Sequence, residues 1–185
     1  VWMRWCLRVL LAELFDLHPT SPQFEYGLKG KPEIAYPDEL AHCCTFSVAH
    51  SASLGAILLS KSSSAMRRYP VGIDLEQHRS RPFQRLAERF FAPEDVAALQ
   101  EVAARRDEAA AARQQAHLFF EMWTKKEAWL KALGVGIGDG GLASLPVGFR
   151  EPLEEVMLLQ AGEVRVAVPY IIMSLSQTLP GIGDC

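Results

Sequence analysis

The chain has 185 residues, 49% hydrophobic and 22% charged, which excludes the disordered and fibrous classes. Its formal net charge of −3 excludes a general affinity for nucleic acid but leaves room for a local basic pocket that takes phosphate. The four cysteines, Cys6, Cys43, Cys44 and Cys185, include no CxxC pair, and no histidine cluster stands at zinc-ligand spacing, so scattered reduced thiols in a cytoplasmic protein are expected.

Residues 2–16 read as an amphipathic helix, because Leu7, Leu10, Leu11 and Leu14 recur at helical spacing. Arg4, Arg8 and Glu13 interrupt the apolar run, which fits packing in a core better than a signal peptide or membrane span. His18-Pro19-Thr20-Ser21-Pro22 stops the helix. An extended piece around Phe24–Tyr26 leads into a turn from Gly27 to Pro32. Residues 45–50 look like the end of a strand, 54–59 like a buried strand, and 71–76 like a third strand, with an exposed Ser-rich loop from Lys61 to Pro70. Residues 85–91 read as a short helix. Pro93-Glu94-Asp95 opens another, with proline and acids in its first turn. Residues 95–116, rich in Ala, Arg and Gln, read as a solvated helix or helix–loop; residues 117–133 read as the strongest helix, ended by Gly134, Gly136 and Gly138. Residues 147–149, 156–160, 164–168 and 171–175 read as strands of a meander. This order of elements predicts an α+β fold rather than a regular βαβ repeat.

Three segments could carry chemistry. In Val71-Gly72-Ile73-Asp74-Leu75-Glu76, strand alternation puts Asp74 and Glu76 on one face and Ile73 and Leu75 on the other. Two carboxylates side by side repel unless a cation or solvent screens them, and magnesium held by one or two carboxylates plus phosphate and water is one solution. A strand that simply runs out to solvent is the other. In the helix at 117–133, Trp123, Glu127 and Lys131 follow one stripe. Glu127 and Lys131 could form an ordinary surface pair, or could meet a metal and a phosphate. Phe46-Ser47-Val48-Ala49-His50-Ser51 ends a strand with an imidazole, a hydroxyl and backbone N–H groups that a phosphate could use. Lys31-Pro32 after the glycine turn is the weakest of these signals, and an ordinary surface turn would look the same.

Read in order, these segments are more specific than any one alone. Gly-Lys-Pro, Phe-Ser-x-x-His-Ser, Val-Gly-Ile-Asp-x-Glu, Phe-Phe and Trp-x-x-Lys-Glu-Ala-x-x-Lys resemble the 4'-phosphopantetheinyl transferases of the larger, surfactin-type (Sfp-type) class, from about Phe24 to Phe149. The resemblance implies a pseudo-twofold pair of α/β lobes: residues 1–70 as an incomplete N-terminal lobe, and residues 71–185 as a C-terminal lobe carrying the metal site. It implies transfer of the phosphopantetheine arm of coenzyme A to a serine of an acyl, peptidyl or aryl carrier protein, with release of 3',5'-ADP. Asp74, Glu76 and Glu127 would hold Mg2+, and Glu127, or a water it polarises, would take the serine proton, with Asp74 and Lys131 completing the catalytic group. Lys131 and Lys126 would meet the pyrophosphate, His50 and Ser51 the phosphate side of coenzyme A, and Lys31 and Pro32 the nucleotide side. Trp123 would pack behind the site. The implied protein is a cytoplasmic monomer with no nucleic-acid or membrane partner.

The chain departs from that pattern at Ala49, where the family often has Ser, in the longer segment from Lys61 to Pro70, and at both ends, which are short. One competing expectation is a non-catalytic or truncated relative that binds coenzyme A or a carrier. The other is a different magnesium-dependent phosphate-binding enzyme, against which stands the lack of a Walker-type or Gly-x-Gly-x-x-Gly loop.

Overall fold

The computed structural model describes residues 2–62, 70–78, 82–137, 142–143 and 171–175. The expected strands at 147–149, 156–160 and 164–168, and most of the 61–70 loop, lie outside the described residues.

Helix α1 (Trp2–Phe15) turns Leu7, Leu11 and Ala12 inward. Leu7 and Leu11 meet Ile34, Leu40, Cys44 and Phe46 in one buried cluster, whereas Leu14, expected on the same apolar stripe, is exposed near the helix end. The chain then forms an antiparallel ribbon of β1 (Gln23–Tyr26) and β2 (Pro32–Tyr36). The turn between them closes with Gly30 N–H donating to the Gly27 carbonyl at 2.8 Å, and Gly30 takes the left-handed backbone that glycine adopts freely, at φ 82. A short helix, α2 (Asp38–Cys43), leads into the hairpin of β3 (Cys44–Ser51) and β4 (Leu54–Lys61), paired in full register from Cys44↔Lys61 to Ser51↔Leu54. Neither β2 nor α2 was expected. Pro32 opens β2 where the sequence reading ends a turn, and α2 is too short to show a helical period.

Strand β5 (Val71–Leu75) is buried along its whole length. Ile73 and Leu75 pack with Ala49, Ala56 and Leu58 of the hairpin. The opposite face, with Gly72 and Asp74, lies on a long helix, α5 (Glu108–Leu133). A Cβ at Gly72 would fall 1.8 Å from the Ala128 carbonyl oxygen and 2.6 Å from the Ala132 nitrogen, so only glycine allows strand and helix to approach this closely. Strand β6 (Ile171–Leu175) pairs parallel with β5, matching the expected strand at 171–175.

Between β5 and α5 lie α3 (Phe83–Phe90) and α4 (Pro93–Ala103). The stretch at 95–116 is therefore not one helix. The Asp107 side chain accepts from Ala110 N–H at 3.0 Å and starts α5 afresh, and Gln115 Nε2 donates to the Leu99 carbonyl at 3.1 Å, tying α5 back to α4. Nor is this stretch wholly solvated, since Asp95, Ala98, Leu99 and Ala111 are buried. Phe91, Leu99, Phe119, Phe120, Met122, Leu130 and Leu142 form the second core. The fold is α+β, as expected, with small sheets and helices around it.

Candidate active site

Two elements build the site. Strand β5 carries Asp74, with Glu76 just beyond the strand end, and the hairpin holds this strand by its backbone. Ser47 Oγ accepts from Ile73 N–H at 3.1 Å and Ser51 Oγ accepts from Gln77 N–H at 2.9 Å. Helix α5 carries Glu127 and Lys131 one turn apart. The approach permitted by Gly72 brings the two elements together at this level, and Lys131 Nζ donates to Asp74 Oδ1 at 2.6 Å.

The electrostatics are those of a crowded acidic site. Asp74 is 6% exposed. Its second oxygen, Oδ2, is buried with no hydrogen-bond partner among the described residues, and a buried carboxylate oxygen left in that state is costly. The Glu127 carboxyl is pushed up to about 7, by burial first and then by Asp74, with Lys131 pulling it back and Glu76 adding to the rise. Asp74, Glu76 and Glu127 thus share one electrostatic neighbourhood, as the strand face and helix stripe predict. Among the described residues no three His, Cys, Asp or Glu side chains are already grouped as a metal cage. Lys131 supplies the charge beside Asp74 instead. The residues present do fit a hard divalent cation. The orphaned Asp74 Oδ2 offers an oxygen ligand, and mutual repulsion holds Glu127 in a state that a cation would relieve.

Lys126 is placed elsewhere. It is 2% exposed, pairs with Asp95 Oδ2 at 2.9 Å and donates to the Leu142 carbonyl at 2.7 Å. Though adjacent in sequence, it is not among the charges that bear on the Glu127 carboxyl. The expectation that Lys126 meets pyrophosphate beside Lys131 therefore does not match its place in the fold. The physical reason is the helical step: consecutive residues diverge by about 100°. Trp123 packs against Phe119 with ring centroids 5.6 Å apart and against Phe90 and Phe91 at 6.1 Å, behind the helix as expected.

The remaining candidates lie on the N-terminal side. Lys31 and Pro32 line a cavity of about 570 Å³ together with Gly27, Lys29, Phe46 and Gly134. Lys31 Nζ donates to the Ala132 carbonyl at 2.8 Å, so a cation sits on the C-terminal end of α5, where the helix dipole favours one. This contact joins the cavity to the helix that carries Glu127 and Lys131. His50 is exposed at the end of β3, opposite Gly55 in the hairpin. The Ser51 hydroxyl is engaged in holding Gln77.

Some contributors were not legible in the sequence. Asp95 reads there as a first-turn acid, with nothing to mark Lys126 as its partner. His78 stacks on Phe120 at 4.6 Å with an interplanar angle of 11°, which pins the chain just past Glu76. Burial and then the neighbouring His117 lower the His78 pKa.

A family model described as the 4'-phosphopantetheinyl transferase superfamily matches residues 70–167. A Synechocystis protein named as a 4'-phosphopantetheinyl transferase is 40% identical over 139 residues, covering 75% of this chain and 50% of its own length. The 4'-phosphopantetheinyl transferase HetI of Nostoc is 33% identical over 136 residues, 72% of this chain and 51% of its own. A 4'-phosphopantetheinyl transferase of Bacillus subtilis is 30% identical over 132 residues, 71% of this chain and 50% of its own. The chain spans about half the length of these curated relatives.

Proposed function

Because this chain belongs to the 4'-phosphopantetheinyl transferase superfamily, we propose that it transfers the phosphopantetheine arm of coenzyme A to a serine of an acyl, peptidyl or aryl carrier protein. The observation that carries this reading is the pairing of Lys131 with Asp74 at 2.6 Å beside a Glu127 whose carboxyl is raised to about 7.

A serine hydroxyl is a weak nucleophile and needs a base. In the metal-free chain the Glu127 carboxyl titrates near neutral pH, and a cation beside it would favour the carboxylate form that can take this proton, directly or through one water. The serine oxygen forms a bond to the β-phosphorus, the bond from that phosphorus to the bridging oxygen breaks, and 3',5'-ADP leaves with the electron pair. Charge grows on the leaving oxygens, and Lys131 is the side chain at the carboxylate cluster able to meet it. Asp74, Glu76 and Glu127 would hold Mg2+, which supplies Lewis-acid stabilisation of the phosphate oxygens. Lys31 and Pro32 would take the nucleotide side in the cavity beside α5, with His50 and Ser51 toward the phosphates. The division into lobes at 1–70 and 71–185, a monomeric state and a cytoplasmic place of action complete the reading. Among the described residues, no helix is long and apolar enough to cross a membrane.

The ion pair between Lys131 and Asp74 also favours a second reading, since it already offsets the Asp74 charge and leaves a metal only Oδ2 of that carboxylate. In that reading the chain binds coenzyme A or a carrier without transferring anything. Calorimetric titration of coenzyme A with and without Mg2+ tests the binding common to both. Tighter binding with Mg2+ in the wild type, lost in Asp74→Asn, is the expected result; binding indifferent to Mg2+ would contradict the metal site.

A further inference from the structure

We infer that Lys126 and Asp95 are a positioning pair: their buried ion pair sets the roll of α5 and so the aim of Glu127 and Lys131, while Lys126 itself touches no substrate. This rests on the reading of Glu127 and Lys131 given above.

Lys126 lies on the helix stripe between Met122 and Leu130, both members of the apolar core. It is 2% exposed and Asp95 is 3% exposed. An apolar side chain would pack on this stripe at less cost. Taking both charges out of water commonly costs more than the pair returns, and a well-packed apolar pair is often as stable or more so. Stability therefore does not account for a lysine here.

Direction does. Lys126 Nζ donates to the Leu142 carbonyl at 2.7 Å and forms an ion pair with Asp95 Oδ2 of α4 at 2.9 Å, a charge contact without hydrogen-bond geometry, and it lies 5.4 Å from the centre of the Phe91 ring. These partners come from separate parts of the chain, so they fix where Lys126 points as apolar contact would not. The helical step then fixes where Glu127 points, because the two residues are neighbours on one rigid helix. With side-chain atoms about 6 Å from the helix axis, a roll of roughly 20° moves the Glu127 carboxyl by about 2 Å. A misplacement of about 1 Å at a reacting group can cost on the order of 100-fold in rate.

The test compares Asp95→Asn, Lys126→Met and the double variant Asp95→Leu/Lys126→Met in the full chain, with coenzyme A, Mg2+ and an apo acyl carrier protein. The double variant leaves no unpaired buried charge, so it keeps the test sound if either single variant fails to fold. The expected result is a double variant that melts at or above the wild-type temperature. Its turnover should fall about 10–100-fold, while its KM for coenzyme A should change less than about twofold. Wild-type turnover in the double variant would make the pair a structural filler and overturn the inference. A rise of about tenfold or more in the KM for coenzyme A would make Lys126 a ligand contact and overturn it equally. If the wild-type chain transfers nothing, the proposed activity fails, and the pair is judged by a crystal structure of the double variant. A Glu127 carboxyl moved by about 1 Å or more relative to Asp74 upholds the inference, and superimposable carboxyls contradict it.

Discussion

At the scale of single residues, Glu127 and Lys131 carry the sharpest consequences. The Glu127 carboxyl moves from an ordinary 4.5 to about 7 on folding, so between those values the folded chain holds a proton that the unfolded chain has lost. Its contribution to stability is fully present below the lower value and declines as pH rises through the upper one. The metal-free protein should therefore melt several degrees lower at pH 8 than at pH 5 through this residue, at roughly 2–4 °C per kcal/mol. Glu127→Gln should flatten that dependence in thermal melts; an equal slope in both proteins would show that Glu127 is not the group responsible. Lys131→Met should weaken coenzyme A about 10-fold or more by removing a charge-assisted contact. The same change strips Asp74 of its counter-charge, so Mg2+ alone should bind more tightly. Calorimetry reads both effects, and their opposite signs separate a lysine inside the carboxylate cluster from a simple surface charge.

At the scale of elements, the site exists because β5 lies directly on α5. Gly72→Ala would set a Cβ against the backbone of Ala128 and Ala132, which no side-chain rotation can relieve. The expected cost is about 3 kcal/mol or more, read as a lower urea midpoint, with loss of coenzyme A binding as the elements separate. A variant of wild-type stability would contradict the close packing. Asp74 and Glu76 were legible in sequence because a strand repeats every second residue, and Glu127 with Lys131 because a helix repeats every fourth. The resemblance gave Lys126 a share of the pyrophosphate, whereas the helical step turns it away from Glu127 and into the core. Of the two readings of 95–116, helix or helix–loop, the broken one holds, but its position was hidden because an Ala-rich run favours helix throughout, and only the Asp107 cap marks a new start.

At the scale of the whole molecule, the two cores are joined through β5, which packs Ile73 and Leu75 on the hairpin and lays Gly72 and Asp74 on α5. The α+β order of elements was readable from the sequence; the meeting of Lys31 with the end of α5, at 2.8 Å from the Ala132 carbonyl, was not, because no local pattern encodes so distant a contact. Around the turn from α4 to α5, Arg106 and Arg105, the latter donating to Gln114 Oε1 at 2.6 Å, are exposed among the acids Glu101, Asp107 and Glu108; under the proposed function they would be the cations that an acidic carrier meets. Reversing Arg106 to Glu should raise the carrier KM about threefold at low salt and leave the coenzyme A KM unchanged. No change in either would move the docking surface elsewhere. The central claim is that the cluster of Asp74, Glu127 and Lys131 performs phosphopantetheinyl transfer. Intact-mass spectrometry of an apo acyl carrier protein, after incubation with this chain, coenzyme A and Mg2+, tests it most directly. The account predicts a mass gain of one phosphopantetheine group, abolished in Asp74→Ala and Glu127→Ala; an unmodified carrier with the wild-type chain, or a full gain with both variants, would contradict it.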